Sequence, residues 1–198
     1  MLALVTGLFT GLSLIIAIGA QNAYVLKLGL KRQHVLAAVL FCAVSDALLI
    51  FAGIAGLGAV IQQLPILLEV FRYAGSAYLV WFGVQALRRA FNPQMLEAQG
   101  DAGSLWKTLG TMAALTWLNP HVYLDTVILL GSIGNQFAPE QWWFAIGAAL
   151  GSFVWFFGLG FGARLLSRFV SSPKFWRYLD GFIALVMFTI AATLLFAL

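Results

Sequence analysis

Six apolar stretches dominate the chain, at about 2–26, 35–61, 66–87, 108–131, 142–163 and 178–197. A helix needs roughly 20 apolar residues to cross the hydrocarbon of a bilayer. In lipid, every backbone N–H and C=O must be paired within the segment, which leaves helix as the conformation for stretches of this length. The chain has 198 residues, so these stretches leave short connections and no room for a soluble domain. They predict an all-α fold, a polytopic transmembrane helix bundle of about six spans. Composition removes the alternatives. With 62% hydrophobic and 9% charged residues, the chain cannot cover a soluble surface, since soluble domains are roughly 25% charged. The same figures exclude an unfolded polar chain.

Charge then sets the expected orientation. Ten of the eleven Lys and Arg residues fall in three connections: Lys27, Lys31 and Arg32; Arg88, Arg89 and Lys107; and Arg164, Arg168, Lys174 and Arg177. Alternate connections of a six-span chain share one side of the membrane. The positive-inside rule therefore puts loops 27–34, 88–107 and 164–177 in the cytoplasm and both termini outside. Arg72, near Glu69, is the exception. The net charge of +4 is accounted for by topology, so nucleic acid is not an expected partner. Lys27 reads as a residue snorkelling to the interface, and Asp180 as a helical i,i+3 partner of Arg177. Trp142, Trp143 and Trp176 read as interfacial belt residues.

Several function classes drop out. Cys42 is the lone cysteine, so an intramolecular disulfide or a thiol relay is excluded. His34 and His121 stand far apart with no Cys/His cluster, so neither a metal site nor a cofactor is expected. No Gly-x-Ser-x-Gly or His-Glu-x-x-His is present, and the chain is not expected to be an enzyme. Ala17-Ile18-Gly19-Ala20 has the small residues of a signal cleavage site. Residues 1–20 contain no Lys or Arg, however, and the reading is a retained first span.

The chain also resembles itself. Phe71-Arg72-Tyr73 opens the third stretch and Trp176-Arg177-Tyr178 the sixth. Asn22 precedes Tyr24-Val25 as Asn119 precedes His121-Val122. Two copies of three spans must run in opposite senses, because three is odd. The expected organisation is an inverted repeat, with residues 1–91 and 107–198 as the halves and 92–106 as a polar cytoplasmic linker. Gly7 and Gly11, Gly147 and Gly151, and Gly158 and Gly162 have the four-residue spacing that lets helices approach closely.

Charge inside the spans points to function. Asp46 lies near the middle of the second stretch and Asp125 beyond the middle of the fourth, and no Lys or Arg sits near the centre of any span. A buried aspartate costs about 2.5–3.5 kcal/mol on insertion scales. Either the two acids are protonated or a mobile cation balances them, and a transported cation and a coupling proton both satisfy that electrostatics. Asn119-Pro120 interrupts the fourth stretch, where Pro120 removes a backbone donor and clashes with the preceding turn. Gln21-Asn22 is the candidate for a matching break in the first stretch. His121, just after Pro120, is a candidate proton relay or carboxylate partner. The expected substrate- or proton-binding residues are thus Asp46, Asp125, Asn22, Asn119, Gln21 and His121, with Pro120 as the helix breaker.

Three strings carry a resemblance: Gly19-Ala20-Gln21-Asn22-Ala23-Tyr24-Val25, Cys42-Ala43-Val44-Ser45-Asp46-Ala47-Leu48-Leu49-Ile50, and Thr116-Trp117-Leu118-Asn119-Pro120-His121-Val122-Tyr123-Leu124-Asp125-Thr126. With them the chain resembles the LysE-type basic amino acid exporters along essentially its whole length. The resemblance implies a multi-pass protein of the bacterial inner membrane that exports L-arginine or L-lysine, driven by the membrane potential or by protons. It implies that Asp46 and Asp125 are the functional acids and that Asn22 and Asn119 lie at helix breaks. Export of neutral amino acids or another small cation is the alternative, an ion channel a more distant one. A homodimer is compatible with the sequence.

Overall fold

The computed structural model describes residues 1–16, 19–63, 65–91, 103–165 and 173–196. All regular structure among them is helical. The helices are α1 (Leu2–Ile15), α2 (Ala20–Lys31), α3 (Val35–Ala52), α4 (Pro65–Phe91), α5 (Leu105–Trp117), α6 (beginning at Pro120–Val122), α7 (Gln141–Leu165) and α8 (Pro173–Phe196). Helix α3 runs on through a π-helical stretch, Gly53–Leu57, into Gly58–Gln62, with a kink at Gly56 (φ 101°). Helix α6 likewise passes through a π-helical stretch, Tyr123–Leu129, and ends with Leu130–Asn135. Most of the linker expected at 92–106, residues 92–102, lies outside the described residues, as do 166–172 of the third basic loop.

Val35–Val60, Gln141–Ala163 and Lys174–Phe196 are each long and apolar enough to cross a membrane. The pair α1–α2, bent by 83° at its break, makes a fourth candidate. The first stretch is therefore two helices and not one continuous span. Helix α4 has the length, at 27 residues, but carries Glu69, Arg72, Arg88 and Arg89. The fourth stretch is divided between α5 and α6 by the Asn119-Pro120 break.

Glycine decides how the helices meet. In lipid, association depends on close packing, which small residues permit. A Cβ on Gly7 would lie 2.1 Å from the Phe144 carbonyl oxygen, and one on Gly147 2.0 Å from that of Leu4. Gly11 and Gly151 meet Ala148 and Leu8 at about 3 Å in the same seam. Helix α1 thus lies parallel to the first half of α7. Farther along, Gly29 of α2 faces Gly160 and Ala163, so α2 continues beside the second half of α7. A Cβ on either of the expected pair, Gly158 and Gly162, would meet nothing within 4 Å among the described residues; Gly160, between them, is the contact glycine, and a Cβ there would also meet Val35 and Val39 of α3. Periodicity located the right turn of α7 but the wrong face. The two π-helical stretches also abut, since a Cβ on Gly53 would sit 2.5 Å from the Val127 carbonyl oxygen.

Helices α4 and α8 pair antiparallel, and their ends are cross-capped. Arg72 Nε and Nη2 donate to the Leu194 and Leu195 carbonyls at 2.6 and 2.5 Å, at the end of α8. Arg177 Nε donates to the Ala90 carbonyl at 3.1 Å, at the end of α4. Each guanidinium satisfies carbonyls that a helix terminus leaves free and opposes the negative end of its dipole. Arg72, the exception to the loop charge pattern, has this role, and the two Arg-Tyr strings occupy equivalent places.

The basic connections gather at one end of the bundle. There Lys31 lies 5.5 Å from the Trp176 ring centroid, and His34 Nε2 is 3.1 Å from the Gly103 carbonyl oxygen. At the opposite end the Met1 amino group is 4.0 Å from Glu140, and Phe51 stacks on Trp142 at 6.2 Å.

Candidate functional site

The two helix breaks face each other across a cavity of about 220 Å³. That is below the roughly 300–1,000 Å³ of drug-sized sites, so its occupant is small. Asn22, Gln21, Asp46, Asn119, His121 and Asp125 all line it. The structure thus brings together every one of the six residues expected from sequence, drawn from α2, α3 and α6. Pro120 is buried at the first position of α6, where its missing N–H costs nothing.

Local chemistry explains each break. Helix α1 stops at Ile15, leaving that carbonyl without its helical partner. Asn22 Nδ2 donates to the Ile15 carbonyl at 2.7 Å, and Trp155 Nε1 of α7 donates to Asn22 Oδ1 at 3.2 Å. Helix α5 stops at Trp117, and Tyr123 OH donates to the Trp117 carbonyl at 2.8 Å. Asn119, in extended conformation, caps α6 by accepting from the His121 backbone N–H at 3.2 Å. Both asparagines therefore hold the broken backbone in shape. Helix α2 differs at its start: Gly19 is the cap and supplies no side chain, so its first-turn N–H groups are left to other partners.

The acids have unlike settings. Asp46 is 7% exposed, and its Oδ2 accepts from Ser152 Oγ at 3.2 Å. Asp125 projects from the π-helical stretch of α6 and is exposed. Among the described residues neither forms an ion pair with a cation. The Gln21 Nε2 amide is buried at the cavity wall without a hydrogen-bond partner among the described residues. The arrangement lines one cavity with two carboxyl groups and an unpartnered amide donor. No group of three metal-ligating side chains occurs among the described residues.

Sequence reading missed Ser152 and Trp155, which position Asp46 and Asn22 from α7. A polar residue at the centre of the apolar α7 was the available signal for Ser152. Tyr123 and Thr126 stood inside the third family-like string without a role; the first caps a carbonyl and the second lines the cavity. Two expectations fall. Lys27 does not snorkel: it is 6% exposed, with Nζ 2.5 Å from Asp180 Oδ1. Asp180 pairs with Lys27 and Arg89 and not with Arg177, whose Nε is turned to α4. The i,i+3 geometry was open to Asp180, but helices packed against α8 supplied stronger partners.

The fold and cavity define a helical membrane protein built around a small, acidic, broken-helix site, and the chain belongs to the LysE type translocator family, whose model matches residues 12–198. It is an integral membrane protein of a transporter family, and not an enzyme. It is 42% identical over 191 residues to a protein named arginine exporter protein ArgO of Pectobacterium atrosepticum, covering 95% of this chain and 94% of the relative. It is 45% identical to the protein of that name from Klebsiella pneumoniae, covering 93% and 89%, and 43% to that of Salmonella schwarzengrund, also covering 93% and 89%. No solved structure matches.

Proposed function

We propose that the chain is a secondary transporter that exports L-arginine, L-lysine or both across the bacterial inner membrane, crossing it six times as two inverted three-span repeats. The observation that carries this reading is a cavity at which two broken helices meet two acids that, among the described residues, have no cationic partner. A basic amino acid carries the charges that such a lining would balance. Asp46 and Asp125 face its cationic groups, and the uncapped first turn of α2, with Gln21, faces its carboxylate. The name borne by the relatives supports arginine. The reciprocal Arg72 and Arg177 caps, and the matched breaks, support the inverted repeat.

The gathering of basic connections at one end supports a cytoplasmic location for loops 27–34, 88–107 and 164–177. Export of a monocation against an inside-negative potential is opposed by about 2.3 kcal/mol per 100 mV. Inward proton movement through Asp46 or Asp125 would offset that opposition. Transport by reconstituted protein tests the reading. Arginine or lysine on one side should accelerate exchange of labelled arginine from the other, and threonine should not. Equal acceleration by threonine would favour a neutral amino acid exporter.

A further inference from the structure

A second buried acid lies off the cavity. Asp180 of α8 is 1% exposed, in a chain region otherwise rich in cations. Its Oδ1 takes both of its partners: Lys27 Nζ of α2 at 2.5 Å, and Arg89 Nη2 and Nε of α4 at 3.2 and 3.3 Å. Its Oδ2 is buried with no partner among the described residues. Two cations and one anion leave the cluster with a net positive charge and one acceptor unused. A contact optimised only to hold the fold would engage both carboxylate oxygens, since breaking or half-satisfying a buried ion pair is costly.

Position gives the cluster a second meaning. Lys27 lies five residues, about 7.5 Å of helix, beyond cavity-lining Asn22. Asp180 lies ten residues, about 15 Å, toward the basic end from cavity-lining Ile190. Between them Tyr24 meets Phe82 edge-on at 5.6 Å, and the Arg89 guanidinium stands 6.0 Å from the Phe82 ring centroid. Inward from the basic end along α2, the order is Lys27 of the ion cluster, Tyr24 of the aromatic pair and cavity-lining Asn22. The cavity also takes in Gly11, Ile50 and Leu130, which lie beyond the breaks from the basic end. Along both α2 and α8 the cluster lies between the basic end and the cavity-lining residues.

The two groups on Asp180 are an ammonium and a guanidinium, the head groups of lysine and arginine. Resting on the transport reading above, we propose that Asp180 is a binding site for the cationic head group of the transported amino acid on its way to the cavity. Lys27 and Arg89 occupy it here as tethered competitors. Substrate binding at Asp180 displaces Arg89, frees the Phe82–Tyr24 plug and opens the cavity to the basic end.

Initial rates of labelled arginine transport are measured from each face, in inside-out and right-side-out membrane vesicles. Arg89→Gln removes the tethered guanidinium but keeps the Lys27–Asp180 pair, so the fold is retained. It should lower the KM at the cytoplasmic face roughly threefold or more, by removing a competitor, and leave the other face unchanged. The neutral triple variant Lys27→Gln, Arg89→Gln, Asp180→Asn leaves no charge unpaired. It should raise the KM at that face about tenfold. Thermal unfolding in detergent reports whether the triple variant folds; if it does not, Arg89→Gln decides alone. An unchanged cytoplasmic-face KM in Arg89→Gln, or in the folded triple variant, would overturn the proposal. Wild-type vesicles that move neither arginine nor lysine would instead refute the transport reading, a distinct result.

Discussion

Asp46 and Asp125 share one cavity but differ in what each can do. Asp46 is buried and held by Ser152, so its carboxylate is fixed in place; Asp125 is exposed on a π-helical turn and has freedom to meet a ligand. Asp46→Asn keeps the shape and removes the charge. It is expected to lower arginine transport by about tenfold or more without loss of folding, as buried membrane acids are functional by default. Transport at the wild-type rate would remove the acid from the mechanism. Ser152→Ala is expected to act more mildly, costing about 0.5–1.5 kcal/mol of support to Asp46 and seen as a severalfold change in KM. The acids were legible in the sequence because a carboxylate amid apolar residues is too costly to insert into lipid without a use. The roles of Asn22 and Asn119 were legible only in part. Pro120 marked the break at Asn119, whereas the repeat put the first break at Gln21-Asn22, and the structure ends α1 at Ile15 and sets Asn22 in the first turn of α2. That their side chains serve the backbone required knowing which carbonyls are orphaned, and Ile15 and Trp155 lie seven residues and a whole helix away from Asn22.

Helix breaks at membrane depth survive only if their freed groups are satisfied by protein or water. Asn22→Ala would strand the Ile15 carbonyl and the Trp155 indole N–H together. A loss of about 1–3 kcal/mol is expected for an unsatisfied buried group, measured as a fall in the thermal midpoint in detergent. No change would mean that the α1–α2 break is held by other contacts. The α1–α7 seam makes a sharper test. Gly147→Leu puts a side chain where even a Cβ would be 2.0 Å from the Leu4 carbonyl, whereas Gly158→Leu meets open space. The first substitution is expected to prevent stable folding, and the second to shift stability by no more than about 0.5 kcal/mol. Small-residue spacing in the sequence marked the seam at Gly7, Gly11, Gly147 and Gly151 correctly. It misplaced the second contact of α7, because α7 carries glycine at 158, 160 and 162, and only the positions of α2 and α3 decide which one faces protein.

At the scale of the whole molecule, charge and repeat act together. Arg72 and Arg177 cap opposite ends of the α4–α8 pair, the arrangement an inverted repeat generates when one local string occurs in each copy. Loop charge predicted that the basic connections share a side, and their ends do converge in space. It also hid the Asp180 cluster, since Lys27 and Arg89 read as loop cations until α2 and α4 are laid against α8. Single cysteines introduced at Arg32 and Lys107, in a Cys42→Ala background, are expected to react with an impermeant thiol reagent in inside-out but not right-side-out vesicles. The reverse pattern would invert the orientation and with it the direction of export. The central claim is that one cavity, whose two acids have no cationic partner among the described residues, carries a basic amino acid. Counterflow tests it most directly: purified protein in liposomes, labelled arginine inside, and unlabelled arginine, lysine or threonine outside, with Asp46→Asn in parallel. The account predicts accelerated exchange with arginine or lysine, none with threonine, and exchange slower by about tenfold or more in the variant. Arginine retained by folded wild-type protein under all three conditions would contradict it.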